Sequence, residues 1–364
     1  METQKLERAI KMEQQEYFFY TGTYASRTDT GIYLCALDGG SGEMRIVSGT
    51  EGIERPSFVT LSPDGSRLYA VSETADGHLY AYGVNAGTGE LHMLDRRTTE
   101  GADPCYVSVT SDGCYVLASN YSGGNAVVYG ILPDIGLGNL LGQVKHRGSG
   151  IRKDRQEGPH PHSIVLDPSG QYVMICDLGL DQVVVYRLEE GKLVTHREAQ
   201  LPPGSGPRHL VFHPTSKFAY VSNELNNTVT AFSYNEQTGE LQPQQHLSTL
   251  PEGAAVQDNT AADIRVTPCG RYLYVSNRGH NSIAAFRINQ DSGQLEVIDW
   301  TETAGATPRN FNLLPGGYLV TANQDGGNLV SFAIDGDSGQ LQHTGFVLEI
   351  PSPVCIEPVQ KPAK

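Results

Sequence analysis

Tryptophan occurs once in this 364-residue chain, at Trp300. A single Trp leaves no room for the serial Trp-Asp signatures of a WD-repeat interaction propeller. Bases are scarce too: 26 Lys and Arg stand against 41 Asp and Glu, a net charge of −15. Phosphate backbones need clustered cations, so nucleic acid is not an expected partner. A small anion held by a few local arginines is compatible with the same balance, because salt hides the distant field beyond about 8 Å. No apolar run is long enough for a membrane helix, and Met1 to Glu16 is charged along its length, unlike a signal peptide or a transmembrane span. The six cysteines (Cys35, Cys105, Cys114, Cys176, Cys269, Cys355) form no CxxC and no zinc-type pairing. Free thiols in a reducing compartment are expected, and with them a soluble cytoplasmic protein.

What the chain has in quantity is 41 Gly, 20 Pro and 18 Tyr. One turn recurs: Ser62-Pro-Asp-Gly65, Thr110-Ser-Asp-Gly113, Asp167-Pro-Ser-Gly170, His213-Pro-Thr-Ser216, Thr267-Pro-Cys-Gly270 and Leu314-Pro-Gly-Gly317. Each lies between two runs rich in Val, Tyr, Leu and Phe, which reads as a β-hairpin. A second turn follows in each unit, as in Gly87-Thr-Gly-Glu-Leu91 and Asp337-Ser-Gly-Gln-Leu341. Ahead of it stands Tyr82, Tyr129, Tyr186, Phe232, Phe286 or Phe332, with Cys35 in the equivalent first place; the intervals are 47, 47, 57, 46, 54 and 46 residues. That period fits a four-stranded blade and gives seven of them, an all-β propeller. No long 3.6-residue periodicity follows residue 16.

The first unit, from Tyr17 to Val47, lacks a first strand. Ser352-Pro-Val-Cys-Ile-Glu357, alone after the last unit, has the pattern of Arg55-Pro-Ser-Phe-Val-Thr60. The two ends are expected to share one blade and close the ring, with 17–359 a single domain, 1–16 an extension and 360–364 a tail.

In a blade the first strand lines the channel and the second runs back beside it, so the start of one and the end of the other open on the same face. At the first position stand Pro56, Pro104, Pro161, Pro207, Ala261 and Pro308, followed by Ser57, Cys105, His162, Arg208, Ala262 and Arg309. At the second stand Glu73, Asn120, Asp177, Asn223, Asn277 and Asn323, with Glu224, Arg278 and Gln324 just beyond three of them. Polar groups converging on one channel mouth suit a small polar anion. Asn and Asp at strand ends are also plain turn formers, but turn chemistry gives no reason for His162, Arg208, Glu224 and Arg278.

The segments Arg155-Gln-Glu-Gly-Pro-His-Pro-His162, Cys176-Asp-Leu-Gly179, Gly204-Ser-Gly-Pro-Arg-His209, Ser222-Asn-Glu-Leu225, Ser276-Asn-Arg-Gly-His280 and Thr307-Pro-Arg-Asn-Phe311 resemble the seven-bladed propeller lactonase family. That family includes the cycloisomerase-2 type 6-phosphogluconolactonases and a fungal carboxymuconate lactonizing enzyme. The resemblance spans Tyr17 to Pro358. It implies a catalytic set of His, Arg, Glu and Arg, which falls on His160 or His162, Arg208, Glu224 and Arg278; strand register favours His162. It also implies hydrolysis of a sugar lactone, foremost 6-phosphogluconolactone to 6-phosphogluconate in the pentose phosphate pathway, without a cofactor. His160, His209, Arg309, Asn120, Asp177, Asn277 and Gln324 are the expected substrate contacts.

With no GxSxG elbow, activated water is the expected nucleophile, with Glu224 or His162 as base and Arg208 and Arg278 on the anionic groups and the developing charge. Cycloisomerisation of a muconate is the alternative chemistry, and a non-catalytic interaction propeller the alternative class. His160-Pro-His162 resembles a ligand pair, but neighbouring arginines would repel a cation, so no metal is expected. Gly123-Gly-Asn125, Gly204-Ser-Gly206 and Gly326-Gly-Asn328 read as turns. The basic stretch Asp134 to Glu157 reads either as a loop over the mouth or as a solvated insertion, and Gly253 to Thr260 is a second long connection that could border the same opening.

Overall fold

The computed structural model describes residues 15–254 and 258–359. The expected extension, apart from residues 15 and 16, and the expected tail lie outside the described residues. The remainder folds into seven four-stranded antiparallel sheets, with no helix among the described residues. Six sheets are consecutive in sequence. The seventh joins Pro353–Pro358 to Glu16–Thr23, pairing Tyr20 with Glu357 and Gly22 with Cys355. Each blade's first strand contacts the first strands of its two neighbours, and Pro353–Pro358 contacts both Pro308–Leu314 and Phe58–Leu61, so the ring is closed.

The recurrent turn does what its composition predicts. In Ser62 to Gly65 the Gly65 N–H donates to the Ser62 carbonyl at 2.8 Å with Gly65 at φ +68°. Gly113, Gly170 and Gly270 repeat this left-handed geometry, and Ser216 adopts it at φ +58° without glycine's freedom. The repeated aromatics Tyr82, Tyr129, Tyr186, Phe232, Phe286 and Phe332, with Cys35, are all buried on third strands. They pack between blades; Phe232, for example, shares a core with Tyr172, Met174 and Val185 of the preceding sheet. Each fully buried aromatic supplies about 1.5–3 kcal/mol of apolar transfer.

Asp134 to Glu157 resolves into two parts. Leu140–Lys145 is the ordinary outer strand of the third blade, paired with Asn125–Gly130. Only the connection after it, 146–160, is extra length, and it returns to the channel mouth.

Candidate active site

Strand register brings the two polar series to one rim. Pro104 pairs with Asn120, Pro161 with Asp177, Pro207 with Asn223, Ala261 with Asn277 and Pro308 with Asn323. Immediately after each of these pairs the register slips. Cys105, His162, Arg208 and Arg309 are the residues skipped by the ladder. A bulge releases a residue from the alternation of a strand and re-aims its side chain; here it happens on four inner strands at the same height.

Below that rim lies a cavity of about 360 Å³ lined by Glu73, Cys105, Tyr121, Arg155, His162, Glu224, Thr260, Arg278 and Arg309. Glu224 is its organising group. Oε1 accepts from Arg155 Nη2 at 2.5 Å, and Oε2 lies 2.7 Å from Arg278 Nη2 and 3.1 Å from Arg208 Nε. The Arg208 contact is one of charge alone, since its Nε lacks hydrogen-bond geometry to any partner. Burial pushes the Glu224 carboxyl up, but Arg278, Arg208 and Arg155 outweigh it and hold the group well below the usual carboxylate range. A carboxylate so saturated is a poor proton acceptor.

Arg208 lies beneath the cavity, 2% exposed. Burial, then Arg278 and Arg309, bring its pKa down to about 9, still charged at neutral pH. His209 supports it from below: Nδ1 lies 2.8 Å from Asp263 and Nε2 3.2 Å from Arg208 Nη1. Burial and Arg208 bring His209 down to about 3. The neutral ring therefore donates from Nδ1 to Asp263 and accepts from Arg208 at Nε2, an assignment that follows from the two partners.

His162 lines the cavity with Nδ1 3.8 Å from Cys105 Sγ, and its Nε2 has no partner among the described residues. Burial, then Arg208, His209, Arg309 and Arg278, keep it well below the usual imidazole range, hence neutral. His160 is differently employed: its nitrogens lie 3.0 Å from the Tyr121 carbonyl and 3.0 Å from Glu157, and its ring stacks on Tyr121 at 4.4 Å. Of the two histidines, only His162 faces the cavity.

Arg309 also faces it, 5.3 Å from the Tyr24 ring centroid and 3.9 Å from Glu73. Asn120, Asp177, Asn277 and Gln324 do not line the cavity. Asn120 and Asn277 donate to the carbonyls of Thr99 (2.7 Å) and Thr249 (2.8 Å), fastening the link from the previous blade. Asp177 accepts from the His160 and Gly179 amides and pairs with His146 at 2.6 Å. Gln324 bonds the exposed Asp325. For the two asparagines and Asp177, the strand-end reading describes what the side chains do.

Arg155, Tyr121, Glu73, Cys105 and Thr260 line the cavity although none was singled out as a site residue. Arg155 comes from the 146–160 connection, anchored by the buried Gln156, whose Nε2 donates to the Leu178 carbonyl (2.9 Å) and Asp181 (2.8 Å). Gly179 lets that connection approach: a Cβ there would lie 1.9 Å from the Gly158 carbonyl oxygen. Thr260, the last residue of the second long connection, lines the same opening; residues 255–257 of that connection lie outside the described residues. Glu73 and Cys105 occupied the same strand-end series as the chosen residues, and that spacing was the available signal.

A closed seven-bladed ring that gathers four arginines and two glutamates at one mouth defines a propeller with a charged central site. The family model described as lactonase, 7-bladed beta-propeller, matches residues 18–358. The chain is 37% identical to the 6-phosphogluconolactonase of Bacillus subtilis over 298 residues, 81% of this chain and 84% of that one. The solved periplasmic gluconolactonase of Pseudomonas aeruginosa matches with a TM-score of 0.90 at 32% identity, covering 96% of this chain and 100% of its own. A solved Lactobacillus plantarum protein matches with a TM-score of 0.88 at 32% identity, covering 95% and 100%. The chain belongs to the seven-bladed β-propeller lactonase family and is a lactone hydrolase.

Proposed function

We propose that the enzyme hydrolyses 6-phosphogluconolactone to 6-phosphogluconate, a step of the pentose phosphate pathway, in the cytoplasm. The observation that carries this reading is charge. Four guanidiniums (Arg155, Arg208, Arg278, Arg309) face two carboxylates (Glu73, Glu224), leaving two positive charges at the cavity. A phosphate monoester carries about −1.5 to −2 at neutral pH and matches that surplus. The surplus is concentrated around Glu224, where three arginines meet one carboxylate, so the phosphate is assigned to Arg155 and Arg278 on the cavity wall. Around Glu73 one carboxylate faces one arginine, a balanced environment for the uncharged lactone ring. There Arg309 meets the negative charge that develops on the carbonyl oxygen, and neutral His162 offers Nε2 as a hydrogen-bonding group. Glu224 positions the arginines. The unpaired thiols, Cys114 and Cys269 exposed among them, support a reducing compartment.

Purified protein assayed side by side against 6-phosphogluconolactone, glucono-δ-lactone and a carboxymuconate tests the reading. The phosphorylated lactone is expected to be opened with the highest kcat/KM. Preferred turnover of glucono-δ-lactone, or loss of the carboxymuconate's diene absorbance without water uptake, would overturn it.

A further inference from the structure

We propose that Glu73 is the proton-transferring carboxylate of this site. The inference rests on the lactonase reading above and deepens it by assigning the group that activates water. Two carboxylates line the cavity, in opposite circumstances. Glu224 spends both oxygens on three guanidiniums. Glu73 receives one hydroxyl, that of Tyr24, which lies 2.9 Å from Oε1 and 3.1 Å from Oε2. Arg309, a charged neighbour, stands 3.9 Å away, beyond hydrogen-bond distance. Each carboxylate oxygen can accept about two hydrogen bonds, so most of the acceptor capacity of Glu73 is unused by the protein, and the side chain lies in the cavity wall.

Its surroundings fix the group while leaving its oxygens largely free of hydrogen bonds. The Glu73 amide donates to the Arg55 carbonyl at 3.0 Å, at the end of strand Arg67–Ser72. Tyr24 stays a neutral donor, because burial pushes its pKa up to about 12. Arg55 and Arg309 both lie against the Tyr24 ring, at 4.7 and 5.3 Å from its centroid. Cys105, the remaining titratable neighbour, is kept a thiol, first by burial and then by Glu73 itself. Two carboxylates with such unlike partners divide the roles: Glu224, held by three guanidiniums, organises cations, and Glu73, held by one hydroxyl, handles the proton.

The step balances as follows. Water oxygen bonds to the lactone carbonyl carbon, the carbonyl π pair moves onto oxygen opposite Arg309, and one water proton passes to Glu73. The oxyanion then reforms the carbonyl, the bond from carbon to the ring oxygen breaks, and that oxygen takes the proton from Glu73 to become a hydroxyl. The new carboxylic acid releases its proton to solvent, leaving Glu73 ionised for the next turnover.

Steady-state kinetics on 6-phosphogluconolactone test this with E73Q, E73A and Y24F, each checked for native thermal unfolding. E73Q is expected to lower kcat at least about a hundredfold with KM within about threefold. Sodium formate, a small carboxylate able to enter the vacated space, is expected to restore E73A activity at least about tenfold. Y24F, which removes the positioning hydroxyl, is expected to lower kcat about three- to tenfold. An E73Q enzyme within threefold of wild type would overturn the assignment, and so would lost activity that formate does not restore. A wild-type chain that opens no lactone would instead overturn the reading on which it rests.

Discussion

Glu224 neutralises one of the three positive charges that surround it, so removing its charge leaves buried cations uncompensated. E224Q is expected to cut kcat/KM at least about a hundredfold and R208A by a similar factor, measured on 6-phosphogluconolactone. E224Q is also expected to lose about 3–5 kcal/mol of stability, as a broken buried pair does, measured by denaturant unfolding. His209 adds a pH dependence of its own. Its pKa is about 3 in the fold against 6.5 when unfolded, so its contribution is complete above pH 6.5 and falls as pH drops toward 3. Acidification from pH 7 to 5 is expected to cost about 2 kcal/mol through this residue. H209N, which keeps a donor toward Asp263, is expected to flatten that slope in melting temperature. His162, Glu224 and Arg278 were legible as cavity residues because turn chemistry gives no reason for Arg, Glu or His at those positions; Arg208, read by the same argument as a fourth member of the set, lies buried beneath them instead of lining the cavity. Glu73 was harder to single out, since the asparagines sharing its position in other blades serve as fasteners.

Those asparagines make the next level testable. Asn277 accepts from Thr249 Oγ1 at 2.7 Å and donates to the Thr249 carbonyl at 2.8 Å. N277A is expected to cost about 1–3 kcal/mol in chemical denaturation, with KM within about twofold of wild type. The connections carry the opposite kind of effect. Asp181 Oδ1 accepts from Gln156 Nε2 and from the Gly206 amide (2.7 Å), and Oδ2 accepts from the Gly204 amide (2.7 Å). It thereby ties the connection bearing Arg155 to the turn that precedes Arg208. D181N turns one acceptor into a donor facing an N–H and is expected to cost about 2–3 kcal/mol. It should also raise KM for the phosphorylated lactone more than it lowers kcat. Neither the bulges at Cys105, His162, Arg208 and Arg309 nor the reach of Arg155 could be read from spacing. A bulge is a slip between two paired strands, and a 15-residue connection, 146–160, has no period to follow.

The ring as a whole was the most legible feature, because a unit without a first strand and a strand without a unit stood at opposite ends of one chain. Closure also places Glu357 in an unusual position. Its Oε1 accepts from the Leu61 amide at 2.9 Å and Thr60 Oγ1 at 3.2 Å, joining the last strand to the next blade. Burial raises its pKa to about 7, against opposing effects from the Leu61 amide, Arg265 and Thr60. A raised carboxyl contributes stability that is complete below its usual 4.5 and lost as pH rises through about 7. Part of the side chain remains in solvent, so raising pH from 5 to 8 is expected to cost about 1–2 kcal/mol at this seam. E357Q should abolish that alkaline decline in calorimetry.

The seam also sets a timetable for biosynthesis. Glu16–Thr23 leaves the ribosome well before its partner Pro353–Pro358, whose last residue emerges 335 residues after Thr23. At about 5–20 residues per second that interval is roughly 20–70 s. Throughout it the nascent chain carries a β edge with no native neighbour, open to pairing with other chains on the same polysome.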